Sequence, residues 1–265
     1  MSIIVESSGI LYFNTKAAIP CFENSFGYID NESIIGRNLK PAFLELLNFS
    51  ASVRESYQSV EKDFIAIINE LMKNTYEWGK TDRYNVTIDP SIRGVFSRFF
   101  RRVRSKAVKE FMFHKGLQEY FADQRLQENG IQELYFIEIS VFDSGAGFVE
   151  KYQGKRDANV SDIDIVKTCL IKHRTSALGL EKGDKGIGLD RILHLLNNRG
   201  FLRIKTNKTC VYRNLISHPY KNSQDARDME LFDWATHSSA NYTTSPDANG
   251  SVVTIIYPLA INLTR

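Results

Sequence analysis

The chain has 265 residues, 43% hydrophobic and 25% charged, a composition ordinary for a folded globular protein with a substantial core. Lys and Arg number 34 against 31 Asp and Glu, so the net charge of +3 excludes the strong whole-molecule field of a dedicated nucleic-acid or membrane binder. Three cysteines, Cys21, Cys169 and Cys210, lack metal-ligand spacing and read as reduced structural thiols. No stretch approaches the roughly 20 apolar residues of a membrane span, and the first residues lack a basic run before their apolar ones. The expected location is the cytoplasm.

In chain order, Ile3 to Val5 and Ile10 to Phe13 read as strands and Pro41 to Asn48 as a short helix. From Ser59 the pattern sharpens. Phe64, Ile67, Ile68, Leu71, Thr75 and Trp78 recur at helical spacing, with Ser59 as N-cap and Gly79 as stop. Tyr84 to Ile88 alternates like a strand. After Pro90 a basic segment follows, with Arg93, Arg98, Arg101, Arg102, Arg104, Lys106 and Lys109 among Val95, Phe96, Phe99, Phe100 and Val103. It reads as a helical insertion spanning about 91–129. A solvated face packed on the core is the plain interpretation of its charge, and a nucleic-acid or acidic-protein contact is the alternative.

Glu133 to Phe142 predicts a buried strand running into Asp143-Ser144-Gly145-Ala146-Gly147. Ser161 caps a helix carrying Ile165, Val166, Cys169 and Leu170. The string Gly183-Asp184-Lys185-Gly186-Ile187-Gly188-Leu189 opens a helix that runs to Asn198 and is closed by Gly200. Phe201 to Thr206, Cys210 to Asn214 and Ser251 to Tyr257 are the closing strands. The pattern predicts an α/β fold, a two-layer sandwich of a mixed sheet with helices on one face. Its division is an extension over 1–58 and a main domain over 59–265.

Three constellations carry chemistry. Glu70 and Asn74 lie one turn apart at the edge of the apolar stripe, where a carboxylate can deprotonate water and an amide oxygen can ligate Mg²⁺. Asp143, fixed at a strand end, can accept a hydrogen bond from an exocyclic amine, and Gly145 and Gly147 let backbone approach a flat base. Gly186 and Gly188, before a helix N-terminus, can present backbone N–H groups to phosphate. The strand-first context of a dinucleotide fingerprint and the Lys-Ser/Thr ending of a P-loop are both absent.

In this order the pieces resemble the GHKL superfamily of gyrase, chaperone, histidine-kinase and MutL ATP-binding domains. Glu70 to Asn74 looks like its N-box, Asp143 to Gly147 its adenine box, Gly183 to Leu189 its second glycine box, and Gly250-Ser251 its closing strand motif. The resemblance covers about 59–259. It implies a Bergerat-type fold and Mg-ATP as ligand, with Asn74 on Mg²⁺, Glu70 as general base, Asp143 selecting adenine and Ser251 supporting Asp143. Thr175 and Ser176 fall where the family's mobile lid offers hydroxyls, Lys185 can neutralise a terminal phosphate, and His173 is the one histidine placed near the site. Gly186, Gly188 and Leu189 complete the phosphate segment. Thr75 and Trp78 depart from the family pattern.

The resemblance implies ATP hydrolysis as a conformational switch for a protein partner supplied in trans. A serine kinase of anti-sigma type and a non-hydrolysing ATP module are the alternatives, and a homodimer stays open. Autokinase activity in cis is disfavoured because the first histidine, His114, lies inside the domain.

Overall fold

A computed structural model describes residues 2–6, 9–14, 20–47, 51–129, 132–152, 160–171, 188–222 and 225–260. In chain order the elements are β1 (Ser2–Glu6), β2 (Gly9–Asn14), β3 (Glu23–Asn24), β4 (Gly27–Tyr28), α1 (Glu32–Leu46) and α2 (Ala51–Trp78). Then come β5 (Arg93–Val103), α3 (Arg104–Glu110), α4 (Lys115–Ala122), β6 (Glu133–Asp143), α5 (Gly147–Lys151), α6 (Asp162–Cys169) and α7 (Gly188–Leu196). The last are β7 (Phe201–Thr206), β8 (Thr209–Asn214), β9 (Phe232–Asp233) and β10 (Ser251–Pro258).

The fold is α/β, and among the described residues its main sheet has eight strands in the order β1-β2-β5-β6-β10-β7-β8-β9. Every pairing among the described strands is antiparallel, which corrects the expected mixed sheet. The reason lies in β10. Strands β6 and β7 run in the same direction, as a helical crossover between them requires. The last strand of the sheet lies between them, antiparallel to both, so they never pair.

The register stacks side chains in rows across the sheet. Ser97, Ile139, Ile255 and Leu202 form one row, and Val95, Val141, Val253, Ile204 and Val211 the next. On this face the apolar rows are covered by Ile35, Leu39 and Phe43 of α1, Phe64, Ile67, Ile68 and Leu71 of α2, Ile165 and Val166 of α6, and Ile192, Leu193 and Leu196 of α7. The opposite face is not bare, contrary to the expectation of helices on one face alone. Leu117, Tyr120 and Phe121 of α4, with Ala107 of α3, pack on Phe136, Phe201, Tyr212 and Ile256. Successive strand residues point to opposite faces, so each strand feeds both clusters.

Three further expectations change. Helix α2 begins at Ala51, not at Ser59, because Val53, Tyr57 and Val60 continue the apolar stripe upstream. Ser59 is mid-helix, its hydroxyl donating to Ser56 O at 2.7 Å. The helix therefore crosses the 58/59 boundary, and Phe22, Ile35 and Val53 share one core with Ile137 and Ile255. The basic segment opens as a strand, β5, in which Arg93, Val95, Ser97 and Phe99 are buried in period two. Its helices are the short α3 and α4. Residues 84–88 form no strand; a single bridge, Thr81 to Thr87, closes a loop held by Asp82 Oδ1, which accepts from Tyr84 N and Val86 N.

The signals at the other termini translate directly. Ser161 and Asp164 form a reciprocal capping box on α6, and α2 stops at Gly79. The three cysteines are free thiols. Among the described residues no helix is long and apolar enough to cross a membrane.

Candidate functional site

One row beyond the valines, the inner face turns polar. Arg93 of β5, Asp143 of β6, Ser251 of β10 and Thr206 of β7 stand side by side in register, with Thr209 of β8 after them. Thr206 and Ser251 are buried and their hydroxyls lie 3.0 Å apart.

Asp143 ends β6, and the chain turns back on its carboxylate. Its Oδ1 accepts from Gly145 N at 2.8 Å. Burial pushes the Asp143 carboxyl up to about 6, with the Gly145 and Ser251 N–H groups and the Arg93 charge pulling the other way. The turn is pinned from both sides. Ser144 N donates to Ile92 O and Ser144 Oγ accepts from Ile92 N. Gly147 takes a positive φ of 77°, and a Cβ there would meet Asn207 Oδ1 at 2.6 Å and Thr206 Oγ1 at 2.7 Å. Those same oxygens accept from Val149 N and Phe148 N, while Asn207 Nδ2 donates to Ala146 O. The glycine turn is thus built by Thr206 and Asn207, whose part in the site the sequence does not announce.

Helix α2 supplies the second wall, and its polar positions separate by stripe. Asn69, Lys73 and Tyr76, followed by Lys80, face the β3–β4 hairpin. Tyr28 Oη donates to the Asn69 backbone and side-chain oxygens, and Lys73 pairs with Asp30 at 2.8 Å. Lys80 Nζ lies 3.2 Å from the Tyr76 ring centroid and 3.9 Å from Glu23. Glu23 and Arg93 are both buried, 2.8 Å apart, in a geometry that leaves Glu23 Oε1 and Arg93 Nη1 without a directed hydrogen bond. They attract as ions.

Glu70 and Asn74 occupy the adjacent stripe, both half-buried. Glu70 points to the start of α7, where a Cβ on Gly188 would lie 2.6 Å from Glu70 Oε2. Its Oε1 accepts from Arg191 Nη1 at 3.0 Å. Asn74 has no side-chain hydrogen bond among the described residues. Leu189, also half-buried, packs against the core.

The two ends of the site are joined by one helix. Gly79, just past the end of α2, touches Asp143, since a Cβ on it would meet Asp143 Cβ at 2.7 Å. Glu70 touches Gly188. Nine residues at 1.5 Å rise place these ends roughly 13 Å apart. The structure therefore brings Asp143, Gly145 and Ser251 together near the end of α2, with Gly147 against Thr206 and Asn207, and separately brings Glu70 to Gly188 and its neighbour Leu189, Asn74 lying one helical turn from Glu70. Thr175, Ser176, Lys185 and Gly186, and with them His173, lie outside the described residues.

Sequence reasoning assigned Arg93 to a charged surface and gave Arg191, Glu32 and Glu23 no role. The remaining arginines of the basic segment meet acids: Arg98 with Glu138 at 2.5 Å, Arg101 with Glu133 at 3.6 Å, Arg102 with Glu110 at 3.1 Å and Arg104 with Glu128 at 2.9 Å. Its positive charge is largely matched locally. Among the described residues no three His, Cys, Asp or Glu side chains converge on a metal position. A Mg²⁺ held mainly by phosphate oxygens and water needs no such cluster, and a single amide oxygen such as Asn74 fits that donor set. Comparison of the chain with protein-family models, with curated proteins and with solved structures gave no match.

Proposed function

We propose that this chain is a Mg-ATP-binding domain of GHKL type that hydrolyses ATP as a switch for a protein partner in trans. The observation that carries the reading is the span of α2. One end abuts the Asp143–Gly147 turn through Gly79, and the Glu70 position meets the start of α7, roughly the length of an extended nucleoside triphosphate away.

In this reading the Asp143 carboxylate accepts the adenine amine, held in place by the backbone N–H groups of Gly145 and Ser251. Gly145 and Gly147 bring backbone close to the base plane. Asn74 would offer its amide oxygen to Mg²⁺, which would supply positive charge to offset that of the phosphates. The start of α7 at Gly188 would face the phosphates, and the resemblance adds Gly186, Lys185, Thr175 and Ser176, which lie outside the described residues, as phosphate ligands. Glu70 Oε2 takes a proton from the attacking water.

The test pairs binding with turnover. Glu70→Gln keeps shape and removes the base, so ATP affinity by calorimetry stays within about twofold while phosphate release falls roughly 10²- to 10⁴-fold. Labelled phosphate recovered in water supports the switch, and phosphate recovered on a partner protein makes the domain a kinase. No ATP binding by the folded chain in Mg²⁺ would sink the reading.

A further inference from the structure

Arg191 sits in the first turns of α7 and reaches two carboxylates from two other helices. Its Nη1 donates to Glu70 Oε1 of α2 at 3.0 Å and, closer still, to Glu32 Oε1 of α1, while Nη2 donates to Glu32 Oε2 at 3.2 Å. The Glu70 side chain is 18% exposed, Arg191 40% and Glu32 37%, so the contact with Glu70 lies on the inner side of the network. Because the guanidinium is planar, a fork occupied by Glu32 fixes the plane in which the same Nη1 meets Glu70.

Resting on the proposed role of Glu70, we infer that Arg191 is a positioning residue for the general base and that Glu32 acts through it. The physical argument is rotamer selection. Glu70 stands at the border of the buried face of α2, and an unbonded glutamate there still has several staggered χ combinations to choose among. Arg191 holds Oε1, which leaves Oε2 pointing at the start of α7, against Gly188. The two oxygens have different duties: Oε1 is the anchored one, and Oε2 is the one free to accept a proton. Gly188 has no Cβ to occupy that space, since one built there would lie 2.6 Å from Oε2. Glu32 neutralises the arginine that would otherwise present its full charge beside a triphosphate. A base mispositioned by an ångström loses its advantage, whereas substrate binding, made elsewhere, does not depend on it.

The experiment uses Arg191→Ala, Arg191→Lys, Glu32→Gln and Glu70→Gln, each alone, with the Arg191→Ala/Glu70→Gln double variant. Calorimetry with Mg-ATP, steady-state phosphate release and urea midpoints are measured for each. Expected for Arg191→Ala is a kcat at least tenfold lower with ATP affinity within about twofold, partial recovery in Arg191→Lys, and a smaller loss in Glu32→Gln. In the Glu70→Gln background Arg191→Ala should add little to the kcat loss, the non-additivity of residues in direct contact, while the midpoint still shifts because the Arg191–Glu32 pair is lost in either background. A Glu70→Gln protein with full turnover overturns the base assignment and this inference together. A strong Glu70→Gln loss beside an unaltered Arg191→Ala kcat, or an Arg191→Ala defect confined to ATP affinity, overturns the inference alone.

Discussion

Gly145 lies against Gly79 so closely that a Cβ on Gly145 would stand 2.7 Å from Gly79 Cα and 2.9 Å from Trp78 O. The end of α2 and the turn after β6 are thus in backbone contact, and neither tolerates a side chain there. Gly145→Ala should destabilise the fold by about 1–3 kcal/mol through overpacking against backbone that cannot rotate away. A urea midpoint unchanged from the unmodified protein would contradict this contact. The same substitution should weaken ATP binding, since the turn carries Asp143.

Asp143 makes a pH-dependent prediction. Its folded carboxyl titrates near 6 against an ordinary value of 3.8, so the folded state binds more protons than the unfolded state between those values. Stability from this group is therefore greatest below about pH 4 and declines as pH rises to 6, staying low above it. Asp143→Asn removes the penalty. It should raise the melting temperature at pH 7.5, equivalent to about 1–3 kcal/mol, and leave it nearly unaltered at pH 4, measured by calorimetry at both. It should also weaken ATP binding at pH 7.5, a more stable protein with a poorer site. Equal melting shifts at the two pH values would remove desolvation as the cause.

Asn74→Ala should leave the fold intact, because the side chain is half-buried at a helix edge and alanine is the better helix former. Mg-dependent ATP affinity should fall at least tenfold, while affinity measured in excess chelator stays the same for both proteins. Titration calorimetry with and without Mg²⁺ separates the two terms.

Glu23 and Arg93 are each buried, so removing Glu23 takes from Arg93 its 2.8 Å partner and leaves it in the interior with only the weaker pull of Asp143. Glu23→Gln should cost roughly 3 kcal/mol. Because the pair is shielded from solvent, raising salt to 1 M should not close the gap to the unmodified protein. A salt-dependent difference would place the pair at the surface instead.

What could be read from the sequence divides along the range of the interactions. Local signals translate well: the cap at Ser161, the stop at Gly79, the strand ending at Asp143 and the helix opened by Gly188 all depend on neighbours within a few residues. β5 did not, because five arginines and two lysines within a short span read as a solvated helix. Their acids come from β6, from α3 and from the segment between α4 and β6, and Arg93 is matched by Glu23, seventy positions upstream. Likewise Arg191 and Glu32 are 159 positions apart, so no spacing rule joins them. The polar row at the site is a matter of strand register, which is set by burial and by the place of β10 in the sheet, and neither is written in any single segment.

The central place of β10 also constrains the order of assembly. With Ser251–Pro258 seated between β6 and β7, a nascent chain that has emerged only through β8 holds the long β6 and the shorter β7 with facing edges that have no partner. Such unpaired edges invite association with other chains. Asp143 and Thr206 then lack Ser251, the serine that stands between them in the finished sheet. Closure over a large sequence separation slows folding, which makes the interval before β10 docks the period when this protein most depends on being kept apart from its own copies.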